Sequence, residues 1–294
     1  MDRAGAGVGE RSGEGAGGWL SGLLGSLCGQ VEADLRRMPA EAAVSIHALR
    51  VRMKKMRALL ILCEGEIAGA DQARLHGRIR ELKNRFGGQR DSVVIEHLVA
   101  RLRREVALPP LVLALGGEDG QELDGAGELL EILPQVRGQL GALGCDLAEL
   151  ELDGLDPGDL VEGYVGSYRR CRRAWKACES KASAARLHRW RKRVKELYFL
   201  SLALHKLGAA AACAPLARGL GKRLGKVNDL ALLDRCLAGP GSGPWRAELG
   251  RRRSRHERKI FAEARQLLGK RPKVLRRELG EELAAGGEWW VGGE

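Results

Sequence analysis

The stretch HALRVRMKKMR, from His47 to Arg57, carries five cationic side chains and one histidine in eleven residues, with no acid among them. Its order returns at His188 as HRWRKRVKELY, which aligns His47, Arg50, Arg52 and Lys54 with His188, Arg191, Arg193 and Lys195 in a repeated HxxRxRxK. On a helical wheel of about 100° per residue, His47, Arg50 and Lys54 share one face, and Leu49, Met53, Met56 and Leu60 occupy the other. The second copy sorts the same way, with His188, Arg191, Lys192 and Lys195 opposite Trp190, Val194 and Leu197. Both stretches therefore read as helices whose charge and core lie on opposite sides.

The rest of the chain agrees with an all-α fold. Its 294 residues suffice for one large or two medium domains. Aromatics make up only 4% of the residues and alternation of strand type is hard to find, while Leu, Ala, Arg, Glu and Lys favour helix. A formal charge of +12 points to a polyanionic partner or an anionic surface, without choosing among nucleic acid, membrane and phosphate polymer. The seven cysteines are odd in number, scattered and never CxxC, which fits reduced thiols of a cytoplasmic protein rather than a disulfide frame or zinc site. WLSGLLGSLC, ending at Cys28, has the outline of a lipoprotein signal, but Glu10 and Glu14 upstream and Leu27 before the cysteine oppose it. No segment approaches the roughly 18 to 20 apolar residues of a membrane span. GEGAGG at Gly13–Gly18 satisfies GxGxxG, yet no strand precedes it, and no Gly-Lys pair continues into Ser or Thr as a Walker motif requires.

Residues 1–18, rich in Gly, Ala and Glu, read as a disordered tail. Helices follow from Trp19 to Arg104. Leu75, Ile79, Leu82 and Phe86 recur at helical spacing, and Arg74, Arg78 and Arg85 form a separate basic stripe. Gly87 and Gly88 end that helix, and Asp91 is placed to cap the next. Residues 116–160 invert the charge, with twelve acids against the single base Arg137. This stretch reads as a seam, about 116–158, although Glu128–Leu143 has helical character. Beyond it the order repeats: Asp159–Ser180 answers Trp19–Arg37, and GKRLGKVND answers KNRFGGQRD, pairing Arg223 with Arg85 and Asn228-Asp229 with Arg90-Asp91. The offsets are 141 residues at the histidines and 138 at the aspartates, which indicates duplicated helical units over 19–145 and 159–285. Residues 286–294, Gly- and Trp-rich, read as a flexible end.

A charge run is ordinarily a solvated helix face. Solvation alone would favour acids interspersed for i,i+4 pairing, and neither copy has them at the inward positions. A polyanion would relieve the repulsion, since Arg and Lys suit phosphoryl oxygens. If the two units pair about a twofold axis, both faces line one cleft or channel. The histidines admit two readings, a bond to a neighbouring backbone group at a helix crossing or a phosphate contact. Asp91 and Asp229 read as N-caps rather than catalytic groups, and YRRCRRAWK and RRRSRHERK as outer rim or solvated surface. Phosphoryl chemistry would require carboxylates for Mg²⁺ or a defined nucleophile beside the bases, and these faces offer neither, so no catalytic or metal residue is assigned and no cofactor is expected.

HALRVRMKKMRALL, LHRWRKRVKELYFL, FGGQRDSVV and LGKVNDLALL together resemble the CHAD family, a histidine-containing α-helical domain that binds inorganic polyphosphate. The likeness spans residues 19–285. It implies two pseudo-symmetric four-helix units in one compact domain, a basic central cleft or pore, and a noncatalytic role in binding polyphosphate or targeting to polyphosphate granules, with granule-associated proteins as further partners. It nominates His47, Arg50, Lys54, Lys55, Arg57, His188, Arg191, Lys192 and Lys195, with Arg85, Arg90 and Arg223 at helix ends. Some relatives are joined to a triphosphate tunnel enzyme, whose ExExK signature is missing here: Glu64–Glu66 and Glu149–Glu151 are not completed by lysine. Tyr198, Glu196 and Asn228 depart from the family pattern and imply a weaker grip in the second half. Nucleic acid is the alternative partner, although only Trp190 and Tyr198 lie near the motifs to stack on bases.

Overall fold

The computed structural model describes residues 15–38, 40–86, 90–110, 112–113, 126–239 and 241–285, with backbone alone at 90–93, 112 and 126–130. Among these residues the order is α1 (Ala16–Arg37), α2 (Ala42–Leu59), α3 (Gly69–Asn84), α4 (Arg90–Glu105), β1 (Val112–Leu113), α5 (Ala126–Ala148), α6 (Pro157–Ser180), α7 (Ala184–His205), α8 (Cys213–Cys236), β2 (Leu237–Ala238), α9 (Ser242–Leu268) and α10 (Pro272–Ala285). The fold is all-α; β1 and β2 form only a two-residue antiparallel ladder, Val112 opposite Ala238 and Leu113 opposite Leu237.

Local chemistry explains several boundaries. Asp156 and Asp159 form a reciprocal capping box, each carboxylate accepting the other's backbone N–H at 2.9 Å, with Pro157 opening α6. Ser183 Oγ accepts the Arg186 N–H and starts α7.

The amphipathic patterns of α2 and α7 hold in detail. Leu49, Met53, Met56 and Leu60 from α2 and its end, and Trp190, Val194 and Leu197 from α7, are all essentially inaccessible. Each such side chain contributes about 1.5–3 kcal/mol by burial. α2 packs directly on α7, and their apolar stripes belong to one continuous core. Around this contact, α1 lies on α2 and α5, and α3 on the same two helices; α6 lies on α7 and α10, and α8 on α7 and α9. α6 also crosses the end of α2 closely enough that a β-carbon at Gly163 would stand 2.6 Å from Ile61 O and Leu62 Cα.

Four boundaries differ from the sequence reading. Helix α1 starts at Ala16, inside the expected tail, and its Gly17 passes against the Leu152 carbonyl with no room for a side chain. The acidic seam contains α5, whose Leu133, Val136, Leu140, Leu143 and Leu147 enter the main core. α4 begins at Arg90, so Asp91 is inside it, and α8 runs unbroken through Asp229; neither aspartate is an N-cap. α4 docks on the other half of the sequence: Ile95, Leu98, Val99 and Leu102 pack with Leu230, Leu233, Trp245 and Leu249 in a second cluster, and Trp245 Nε1 donates to Pro109 O at 3.0 Å. The expected tails at 1–14 and 286–294 lie outside the described residues.

Candidate functional site

The nominated side chains fall into distinct surroundings. Arg50 reaches from α2 to the end of α3, where its Nη1 donates to Phe86 O at 2.6 Å and Lys83 O at 3.1 Å. It thereby satisfies carbonyls that a helix terminus leaves open and sits at the negative end of the helix dipole. In the second half α8 continues through the corresponding region, and the Arg191 guanidinium lies beside Gly225, where a β-carbon would stand 3.4 Å from Arg191 Nε.

Arg52 and Arg193, the intervening arginines of each motif, are turned to acids. Arg52 pairs across to the fully buried Asp34 of α1 at 3.0 Å, a carboxylate that Arg37 also holds. Arg193 pairs with Glu196 at 3.0 Å. Glu196 also accepts Ser167 Oγ at 2.9 Å, so this departure from the family pattern ties α7 to α6.

A concentration of positive charge remains where α2, α3 and α7 meet. The Lys83 ammonium is disfavoured by burial and then by the charges of Arg57, Arg50, Lys192 and Arg80, all of which push its pKa below the usual lysine value. Arg57, half-buried, is lowered by burial and by Arg80 and Arg193, against the opposing pull of Glu196. Cations from both halves of the sequence thus converge on one place. Lys83 and Arg80 were not nominated from the sequence. The repeat could not have flagged Lys83, because its counterpart in the second half is Gly221.

The other nominated residues are dispersed around this centre. Lys54 and Lys195 are half-buried, Lys192 is exposed, and Lys55 faces Arg52 and Lys206, whose charges add to burial in lowering its pKa. His47 is exposed, and His188 is half-buried with Nδ1 2.8 Å from Asn228 Oδ1, a contact at a helix crossing whose partner is a side chain rather than a backbone group. Arg85 donates to Gln135 of α5 at 3.0 Å, and Arg223 pairs with Glu263 of α9 at 2.6 Å. Both helix-end arginines therefore brace neighbouring helices. The basic stripe beside Arg85 does likewise: Arg74 and Arg78 pair with Asp146 of α5 at 2.8 and 2.5 Å, so the acidic segment supplies partners for α3. The Arg90 side chain lies outside the described part of the structure. Among the described residues no group of three or more His, Cys, Asp or Glu is placed to hold a metal ion, and no helix is long and apolar enough to cross a membrane.

Helices α2, α3 and α7 thus gather cations from both halves of the sequence around Lys83. The CHAD domain family model matches residues 20–238, three quarters of the chain, and the protein belongs to the CHAD family. No curated protein and no solved structure matches the chain.

Proposed function

We propose that this protein is a noncatalytic binding module for inorganic polyphosphate, held along the cationic junction of α2, α3 and α7. The observation that carries this reading is the convergence of the Arg50, Arg57, Arg80 and Lys192 charges on Lys83, contributed by three helices from both halves of the chain. Such crowding is unfavourable alone and becomes favourable when a polymer with a charge on every phosphate enters. Membership of the CHAD family supports the same ligand class. Association with polyphosphate granules would follow from such binding.

Nucleic acid fits the site less well. Trp190 is fully buried and stacks on Phe261 at 6.0 Å, and Tyr198 packs on Phe199 at 5.4 Å, so neither aromatic presents a free platform for bases.

The test is competition. Labelled long-chain polyphosphate is bound to the protein and challenged with DNA, RNA and pyrophosphate over a range of salt concentrations. Long chains should outcompete all three, and affinity should fall steeply with salt because several counterions are displaced together. Displacement by DNA or RNA at equal phosphate concentration, or binding insensitive to salt, would overturn the reading.

A further inference from the structure

The segment RRRSRHERK, which reads from sequence as outer rim or solvated surface, is largely exposed, but Arg252 and His256 within it also line a cleft. Between α4, α8 and α9 lies a cavity of about 190 Å³ lined by Arg101, Glu105, Lys226, Leu230, Arg252 and His256. An adjoining cavity of about 350 Å³ shares Glu105, Arg252 and His256 and adds Glu248, Arg251 and Arg255. Liquid water occupies about 30 Å³ per molecule, so the pair has room for a small oxyanion and its solvation.

The charges of the walls do not balance. Glu105 is held by Arg252 and lies 4.0 Å from Arg101, while Glu248 takes Arg251 and Arg252 at 2.6 Å each. Both carboxylates are thereby committed to guanidiniums, and among the described residues Lys226 and Arg255 have no ion pair. His256 Nδ1 is buried with no hydrogen-bond partner, an unfavourable arrangement for a polar atom. Burial and the charges of Lys226, Arg223, Lys259 and Arg101 push this histidine below its usual pKa.

The cleft is separate from the junction described above. Lys226 and Leu230, one turn apart, face α4 and α9, whereas Asn228 between them meets His188 on α7, across the helix.

We propose that this cleft is a second anion site, which takes a small multiply charged oxyanion of the size of inorganic pyrophosphate on Lys226, Arg101, Arg255 and His256. The anion offsets the surplus of guanidinium and ammonium around the imidazole. Because Arg101 belongs to α4 and the remaining groups to α8 and α9, occupancy also fastens α4 to the second half of the chain. The same chemistry could come from a free anion or from the end of a long polymer.

The experiment is NMR of the full chain with labelled histidine, recorded from about pH 5 to 8, where imidazole titrates. Arg101, Glu105, Lys226, Arg223, Glu248, Arg252, Arg255, Lys259 and Glu263, which pairs with Arg223, all contribute to the field there. Inorganic pyrophosphate should shift the His256 resonances saturably and move its titration to higher pH. Lys226→Glu should weaken that response about tenfold or more, the loss of one charge-assisted contact. The variant Lys54→Glu with Lys195→Glu separates the sources. If its His256 still responds to pyrophosphate, the ligand is a free small anion. If His256 responds only to long-chain polyphosphate, and only without those substitutions, the cleft holds the polymer's end; both results support the site. His256 resonances unmoved by every anion, or moved equally in Lys226→Glu, would overturn it.

Discussion

His188 Nδ1 and Asn228 Oδ1 stand 2.8 Å apart across the junction of α7 and α8. Because an amide oxygen only accepts, Nδ1 carries the proton in this arrangement, and Nε2 is the nitrogen left for other partners. Asn228 occupies the position that matches Arg90 of the first half, so the departure from the repeat replaces a cation with a group that orients the motif histidine. Asn228→Ala should weaken polyphosphate binding by about two- to tenfold, the equivalent of one ordinary hydrogen bond. Competition binding measures this directly; equal affinity of variant and wild type would leave the contact with a packing role alone.

Reversal of charge at the junction separates a site from bulk charge, provided that structural cations are spared. Arg50 is unsuitable because its bonds to Lys83 O and Phe86 O hold the end of α3. The variant Lys54→Glu, Lys83→Glu, Lys192→Glu, Lys195→Glu should lose binding by two orders of magnitude or more, about 3 kcal/mol. Reversal of the exposed Arg173, Lys181, Arg258 and Lys273 changes net charge equally. It should weaken binding only modestly, since salt screens distant charges over about 10 Å at 0.1 M. Circular dichroism should show both variants helical. Equal losses of affinity would mean that charge alone, and not its arrangement, governs the interaction.

The core of α2 and α7 was legible in the sequence because burial follows a 3.6-residue period, and Leu49, Met53, Trp190 and Val194 all obey it. The family was legible because two motifs recur in one order. What escaped was pairing across helices. Arg74, Arg78 and Arg85 form a basic stripe by spacing, but Asp146 and Gln135, which receive them, lie some fifty to seventy residues away in a segment that composition marks as a seam. Asp229 resembles a cap because its counterpart follows two glycines, whereas Gly225 and Lys226 leave α8 unbroken. Lys83 has no cationic counterpart in the second copy, so only the meeting of three helices reveals it.

Gly163 offers a test of the crossing between the two halves. A methyl group there would meet Ile61 O and the Leu62 backbone at 2.6 Å, and backbone at a helix crossing yields little. Gly163→Ala should lower stability by about 1–3 kcal/mol, as overpacking does. Gly166, one turn along α6, would meet only the end of Arg170 at 3.8 Å, so Gly166→Ala should be neutral or stabilise by up to about 1 kcal/mol through helix propensity. Urea unfolding of both variants provides the comparison. Similar stabilities would contradict the close approach of α6 to the end of α2.

Proton uptake on binding should identify Lys83 within the junction. Its pKa is lowered by burial and by Arg57, Arg50, Lys192 and Arg80, so part of its population is neutral at a lower pH than for an ordinary lysine. A polyanion favours the ammonium form and raises that pKa, and linkage then requires that binding take up protons as the pH approaches the depressed value. Affinity should therefore decline as pH rises through that range, and the protonated protein is the tighter binder. Isothermal titration calorimetry in buffers of different ionisation enthalpy, at about pH 8 to 10, measures the protons directly. Lys83→Arg keeps the charge and removes the titration, and should bind with most of the uptake abolished. Lys55 is also lowered, but by burial, Arg52 and Lys206, outside this cluster, so Lys55→Arg should leave the uptake largely intact. Uptake that survives Lys83→Arg and disappears in Lys55→Arg would move the polymer's path to the other side of α2.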